Sequence, residues 1–473
     1  MTCPDPLINS DPSTLYHLYN EKHGFLPAPV QNEQPIKASK KKKNLLKKFL
    51  LVVLVLLGYL FYKFLLPLYN GWPFYHHDHD HGHDIIIVGD TCSHDTGALF
   101  LREELCRANA VPWSGPSTFS TASDRFLLTI GKGNMAVRVR VQTSPNVQEP
   151  TLKIAGYVSP VGDSDDGMNP VAVTPTTGEP KSDIEHQGVT VHITEDGYAY
   201  DVQIQYHDRV LHNPSGDKYC ACARFELQVL LPESYTRYSQ LIINGATAEI
   251  EVFDVDDIRF GELWFEVGVG NVVSSGELLV DALAVDVKTG NIDIESVEAA
   301  TKGAPLAVLA EAVTGDVTLH ARTKPAGAAH DLRATSKTGS VKVTVTPASS
   351  SFSSLPWLSK PADLNIHTEA VEGSARALVE LESRAQTLRL DATSSTDSAS
   401  ALISDDFSGR FRVESQSEEA NVYEADASES VITYEKQTSS MKEGVKSFSG
   451  ETPQEGHVSL KSSLGLVVLE FTN

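Results

Sequence analysis

The alternation of apolar and polar residues changes character along the chain. From Phe49 to Leu66 apolar residues run almost unbroken, with Lys63 as the charged interruption. These 18 residues span about 27 Å as a helix, just enough for a bilayer hydrocarbon core of roughly 30 Å. The pattern predicts a transmembrane helix over residues 49–68. Between Thr96 and Asn109 it predicts a short soluble helix. From about Ser120 the period shortens to two. Met135–Val141, Tyr198–Tyr206 and Phe225–Leu231 alternate strictly, as half-buried strands do. Residues 159–186, rich in Pro, Asp and Gly, read as a long loop.

The flanks of the apolar run fix its orientation. Lys37, Lys40, Lys41, Lys42, Lys43, Lys47 and Lys48 precede it. So many lysines at one end do not suit a buried helix of a soluble core. A signal peptide would begin at the N-terminus and end in a small-residue cleavage site. Here 48 residues come first, and the aromatic stretch Pro67–Tyr75 follows. Tyr69, Trp72 and Tyr75 suit a membrane–water interface, and Lys63 can extend its ammonium toward the same side. The positive-inside rule places residues 1–48 in the cytoplasm and residues 67–473 in a lumen or outside the cell. This is a single-pass type II arrangement.

Within the C-terminal region the alternation repeats around glycines. Apolar or small residues occupy positions seven, five and three before the glycine, and apolar residues follow two and four after it. Around Gly290 these are Leu283, Val285, Val287, Ile292 and Ile294; around Gly315, Val308, Ala310, Ala312, Val317 and Leu319; around Gly339, Leu332, Ala334, Ser336, Val341 and Val343. Looser copies centre on Gly270, Gly373, Gly409 and Gly465, and Ser430 stands for the glycine in a degenerate copy. Such spacing suits stacked units that bury a core only against their neighbours. A β-sandwich with evenly spaced hairpins is the alternative.

Lys288-Thr-Gly-Asn-Ile-Asp-Ile294, Val313-Thr-Gly-Asp-Val-Thr-Leu319 and Lys337-Thr-Gly-Ser-Val-Lys-Val343 resemble the putative-adhesin family, a repetitive β domain of unknown function. Leu227–Ser234 resembles the strand and Leu-Pro step that precede such repeats. The resemblance covers about residues 225–345 well and 346–473 weakly. It implies a right-handed solenoid-like β fold, without catalytic residues, and a fungal-type membrane-anchored member. The long insertions and the Ser-rich segment 391–440 depart from the family pattern.

Composition narrows the function. The chain has a net charge of −23; residues 1–48 contribute +4 from eight Lys and four acidic residues, leaving −27 for the remainder. An acidic ectodomain excludes nucleic acid as a partner, since that needs a basic footprint. Cys3 falls in the tail. Cys92, Cys106, Cys220 and Cys222 all lie beyond the membrane, where an even number fits two disulfides. A Cys220–Cys222 bridge would be strained, so cross-links from Cys92 and Cys106 to that pair are favoured over buried free thiols. No Asn-x-Ser/Thr acceptor exists, because Asn213-Pro-Ser215 carries the forbidden proline.

The densest polar run is His76–Asp84. In an extended segment His77, His79, His81 and His83 share one face and form a candidate site for zinc or another divalent metal; a hydrated spacer is the alternative. Asp163–Gly167 and Asp254–Asp257 lack the spacing of an EF-hand. Asp254, Asp256, Asp257 and Arg259 are the compact candidates for glycan-active chemistry. No Gly-x-Ser-x-Gly elbow or phosphate loop is present.

The sequence thus predicts five parts. Residues 1–48 form a largely disordered basic tail and 49–68 the membrane helix. Residues 69–115 are a His/Asp-rich stalk, 116–235 an N-terminal β region and 236–473 an adhesin-like repeat region. The expected function is a non-enzymatic binding or structural module, contacting a glycan or protein and carrying no cofactor. The alternatives are a membrane-tethered glycan-active enzyme and a lumenal metal-binding protein.

Overall fold

The computed structural model describes residues 111–472, apart from 116, 132–134, 159–180, 187–188, 196–199, 207–209, 213–217, 221–222, 325–327, 349–361 and 425–428. The predicted membrane helix, the stalk helix and the histidine run lie outside the described residues. Among the described residues the chain is mostly β, and no helix is long and apolar enough to cross a membrane.

The strands form two parallel ladders that share one hydrophobic core. In the first ladder Arg259–Val269 pairs with the second half of Val272–Thr289, which pairs with Ala307–Thr314, then His330–Thr338, Leu364–Glu372 and Leu388–Ser394. In the second, Ile292–Glu298 pairs with Val317–Thr323, then Val341–Pro347, Ala375–Val379 and Ala399–Ser404. Each strand therefore pairs with the strand two places along, not with its neighbour in sequence. A rung is one strand from each ladder. The inward positions are those that the repeat predicts: Leu283, Val285, Val287, Ile292 and Ile294 are buried, as are their counterparts around Gly315 and Gly339.

Glycine is required between the two strands of a rung for two reasons. Gly270, Gly290, Gly315, Gly339 and Gly373 all have φ between 133° and 144°, where a side chain is strained. They also stack on one another. A Cβ on Gly315 would lie 1.9 Å from the carbonyl oxygen of Gly290. The residue after each glycine ties the rungs laterally. Asn271 Oδ1 accepts the Asn291 N–H at 2.8 Å, Asn291 Oδ1 accepts the Asp316 N–H at 2.9 Å, and Asp316 Oδ1 accepts the Ser340 N–H at 2.7 Å.

Two expected repeat centres do not behave as such. Gly409 opens the first-ladder strand Gly409–Ser415 and makes no turn between ladders. Ser430 begins Ser430–Gln437, which pairs antiparallel with Met441–Phe448 as a hairpin, leaving Val431 exposed. Two rungs lack the central glycine. In them a serine hydroxyl closes the turn: Ser394 Oγ accepts the Asp397 N–H at 3.0 Å, and Ser415 Oγ accepts the Glu418 N–H at 2.9 Å. The end of the expected 159–186 loop is also a strand, Lys181–His186. It pairs antiparallel with Val189–Glu195, whose Thr and Val alternation supplies the partner.

The last rung is out of sequence order. Gly456–Ser462 lies between Leu388–Ser394 and Gly409–Ser415. Val467–Thr472 likewise lies between Ala399–Ser404 and Ala420–Tyr423. The chain leaves a gap after residue 404, builds a further rung and the 430–448 hairpin, then returns to fill the gap.

At the N-terminal end Tyr200–Tyr206 joins the first ladder through Arg125–Ile130, and Val189–Glu195 pairs antiparallel with Tyr200–Tyr206. In the second ladder Thr151–Val158 pairs antiparallel with Ala223–Pro232.

Two buried polar side chains hold the connections. Lys446 is 0% exposed and forms an ion pair with Asp405 at 2.8 Å. Its ammonium also donates to the carbonyls of Asp405 at 2.6 Å and Phe407 at 3.2 Å. Asp405→Ala removes the carboxylate and leaves that ammonium without its counter-charge. The expected loss is about 3 kcal/mol of stability, and Asp405→Ala combined with Lys446→Met recovers much of it. Denaturant titration of the single and double variants measures both; an uncoupled double variant would contradict the buried pair.

His330 is 0% exposed. Its Nδ1 accepts the Leu306 N–H at 2.9 Å and its Nε2 donates to the Lys324 carbonyl at 2.8 Å. Burial lowers its pKa from the ordinary imidazole value, more strongly than the Lys324 carbonyl raises it. The unfolded chain therefore takes up the proton first. The contribution is fully present above the unfolded value of about 6.5 and is lost as pH falls from there through the lower folded value. His330→Gln is expected to be less stable than the parent at pH 7.5, with a smaller gap at pH 5.5. Unfolding midpoints at the two pH values decide it, and a constant gap counts against a neutral buried imidazole.

Candidate binding face

The outward side of the first ladder is organised in rows, because in-register parallel pairing aligns equivalent residues of successive rungs. One row runs Leu127, Ile242, Trp264, Ala284 and Leu309, all half-buried. It continues as Arg333, His367 and Asp391. A neighbouring row carries Glu266, Asp286 and Glu311. Here the cations answer acids: Lys288 binds Asp286 at 2.6 Å, and Arg333 lies 3.9 Å from Glu311.

The C-terminal part of this face differs. Arg389, His457 and Arg410 are register partners on three successive strands, and all three are exposed. Neighbouring strands are about 4.8 Å apart, so three basic side chains stand in single file. Arg412, one row over, binds Glu414 at 2.8 Å; Arg389, His457 and Arg410 enter no ion pair among the described residues. A polar groove of about 460 Å³ opens at the Arg389 end of the file. Its lining includes Asp363, Asn365, Thr387, Arg389, Gln454 and Glu455. Residues from two rungs and the segment before Gly456–Ser462 thus meet at one place.

The residues singled out in the sequence fare differently. His77, His79, His81 and His83 lie outside the described residues, as do Cys92, Cys106, Cys222 and Asp163–Gly167. Cys220 ends the short strand Lys218–Cys220, which pairs antiparallel with Val210–His212. Asp254, Asp256, Asp257 and Arg259 lie on the loop and strand start around Val255 and Ile258, whose buried side chains anchor it. Asp256 Oδ1 accepts the Glu277 N–H at 2.7 Å, and the Asp254 carbonyl accepts the Thr143 hydroxyl at 2.8 Å. These groups shape a turn. They do not converge with the groove residues, none of which the sequence had singled out. Period-two alternation marks Arg389, His457 and Arg410 as outward-facing, but the out-of-order rung hides their adjacency.

No protein-family profile matches the chain. No curated protein matches it either. A solved structure of a "putative cell adhesion protein" from Clostridium sporogenes aligns with 76% of this chain and 99% of its own length, at 6% identity and a TM-score of 0.14. A superposition so loose carries no argument about fold or function.

Proposed function

We propose that the chain is a membrane-tethered, non-enzymatic binding module of adhesin-like type. Its repeat region winds as a right-handed solenoid and stands on the lumenal or extracellular side. The observation that carries this reading is the in-register stacking of the rungs, which sets outward side chains in straight rows at a fixed spacing. Such a face matches a repetitive partner, as stacked-repeat proteins do with their extended surfaces. The groove and the adjoining file of basic residues give the face a polar, hydrogen-bonding end suited to a glycan.

Full-length chain in detergent, applied to an array of neutral and charged oligosaccharides, tests the reading. Retention of a glycan without its cleavage is the expected result. Release of shortened product would transfer the groove, with its carboxylates Asp363 and Glu455, to the glycan-active alternative. Retention of nothing would remove the binding reading. Protease protection of a C-terminal tag in sealed vesicles tests the orientation, and cleavage from the cytoplasmic side would reverse it.

A further inference from the structure

Two guanidinium groups in one row, about 10 Å apart with an imidazole between them, repel one another. Arg389, His457 and Arg410 keep this arrangement in a chain of net charge −23. On the same face Lys288 has an acidic neighbour in Asp286, and Arg412 has one in Glu414. Carboxylates near the file include Asp391, on the strand of Arg389, Glu443, on the strand that pairs with that of Arg410, and Glu455 and Asp363, which line the groove with Arg389. The groove therefore mixes acceptors with one guanidinium. Asn365, Thr387 and Gln454 add donors and acceptors, while its apolar lining is confined to Ala329 and Ala385.

We infer that the groove and the Arg389–His457–Arg410 file form one site for an acidic oligosaccharide, a chain bearing carboxylate or sulfate groups. The inference rests on the glycan-binding reading above and names the class of glycan. Sugar hydroxyls donate to Asp363 and Glu455, a role no anionic peptide side chain can fill. Acidic groups on successive sugars meet Arg389 and Arg410, whose planar guanidinium forks match carboxylate and sulfate geometry. His457 sits between them as a ring donor. An acidic peptide is disfavoured, since its carboxylates would meet those of Asp363 and Glu455 and its side chains would find no apolar pocket.

The test measures binding of full-length chain in detergent to four soluble probes: oligogalacturonate, a sulfated heparin-derived oligosaccharide, neutral cello-oligosaccharide and poly-glutamate. One of the two acidic glycans is expected to bind more tightly than the neutral glycan and poly-glutamate, and to weaken with added salt. Arg389→Ala with Arg410→Ala is expected to weaken that probe about tenfold or more, since a hydrogen bond to a charged group is worth about 1.5–3 kcal/mol. Arg389→Lys with Arg410→Lys keeps the charge and is expected to lose less. Lys342→Ala with Arg376→Ala, an exposed register pair on the other ladder, is expected to change nothing. All these side chains are exposed, and an unchanged circular dichroism spectrum confirms folding. Equal binding of poly-glutamate overturns the inference. So does a neutral glycan binding as well as the acidic ones, or an Arg389/Arg410 double variant that binds normally; in both cases glycan binding itself survives. Failure of every glycan probe overturns the inference and the reading beneath it together.

Discussion

Gly315→Val is expected to lower the stability of the full-length chain by about 4 kcal/mol or more. Two separate effects combine at this position. The φ of 133° lies where a branched side chain is strained, which alone costs about 1–3 kcal/mol. The added Cβ would also come within 1.9 Å of the Gly290 carbonyl oxygen. That oxygen is backbone, so relief requires the two rungs to separate. Separation would break the hydrogen bonds that span them, from the Gly290 N–H to the Thr314 carbonyl at 2.7 Å and from the Ile292 N–H to the Asp316 carbonyl at 2.9 Å. Gly303→Ala is the informative comparison. Gly303 has φ of 79°, but nothing lies within 4 Å of its Cβ position. Only strain remains there, about 1 kcal/mol. Denaturant midpoints followed by circular dichroism measure both variants. If Gly315→Val were no worse than Gly303→Ala, the close stacking of glycines would not be what limits this position.

Ending the chain after Glu455 is expected to be more damaging still. It removes both strands of the rung that fills the gap between residues 388–404 and 409–423. Val458, Leu460, Val467, Leu469 and Phe471, all buried, are lost. At about 1.5–3 kcal/mol each, their burial amounts to roughly 10 kcal/mol. Phe471 also stacks on Phe407, with ring centroids 5.7 Å apart, and lies 5.0 Å from the Lys446 ammonium. Without it the Gly409–Ser415 strand has no parallel partner, and the hairpin that pairs with it has no firm seat. Limited proteolysis of the truncated chain should yield a resistant fragment ending near Asp405, whereas the intact chain should be protected to its end. Protection of residues 409–448 in the truncated chain would show that this part stands without the last rung.

The repeat core was legible where one local signal carried it. Leu283, Val285 and Val287 alternate before Gly290, Ile292 and Ile294 after it, and the glycine marks the bend because no other residue fits. The pattern misled where the same physics is met by different residues. At Ser394 and Ser415 a hydroxyl closes the turn, so no glycine marks either rung. Gly409 and Ser430 matched the spacing by chance of alternation, since a hairpin strand and a stacked strand share the period of two. Gly465 was found, yet its role differs. A Cβ there would meet the Asp397 carbonyl carbon at 2.3 Å, so close approach and not positive φ demands it. The binding face was illegible for a topological reason. Arg389, Arg410 and His457 are separated in sequence by 21 and 47 residues, and only the returning last rung brings His457 between the two arginines.

The antiparallel strands at the two ends of the stack have a consequence for self-association. A parallel, in-register rung offers its edge to any further copy of itself, and nothing in the pairing limits how many may add. Here the first-ladder end is closed by the 430–448 hairpin, and the opposite end by Val189–Glu195 and Lys181–His186 in one ladder and Thr151–Val158 in the other. The edge at Ala420–Tyr423 is only four residues long. Proteolytic loss of the hairpin would bare one edge while the opposite end stays closed, so self-association would stop at a pair and not run on to a filament.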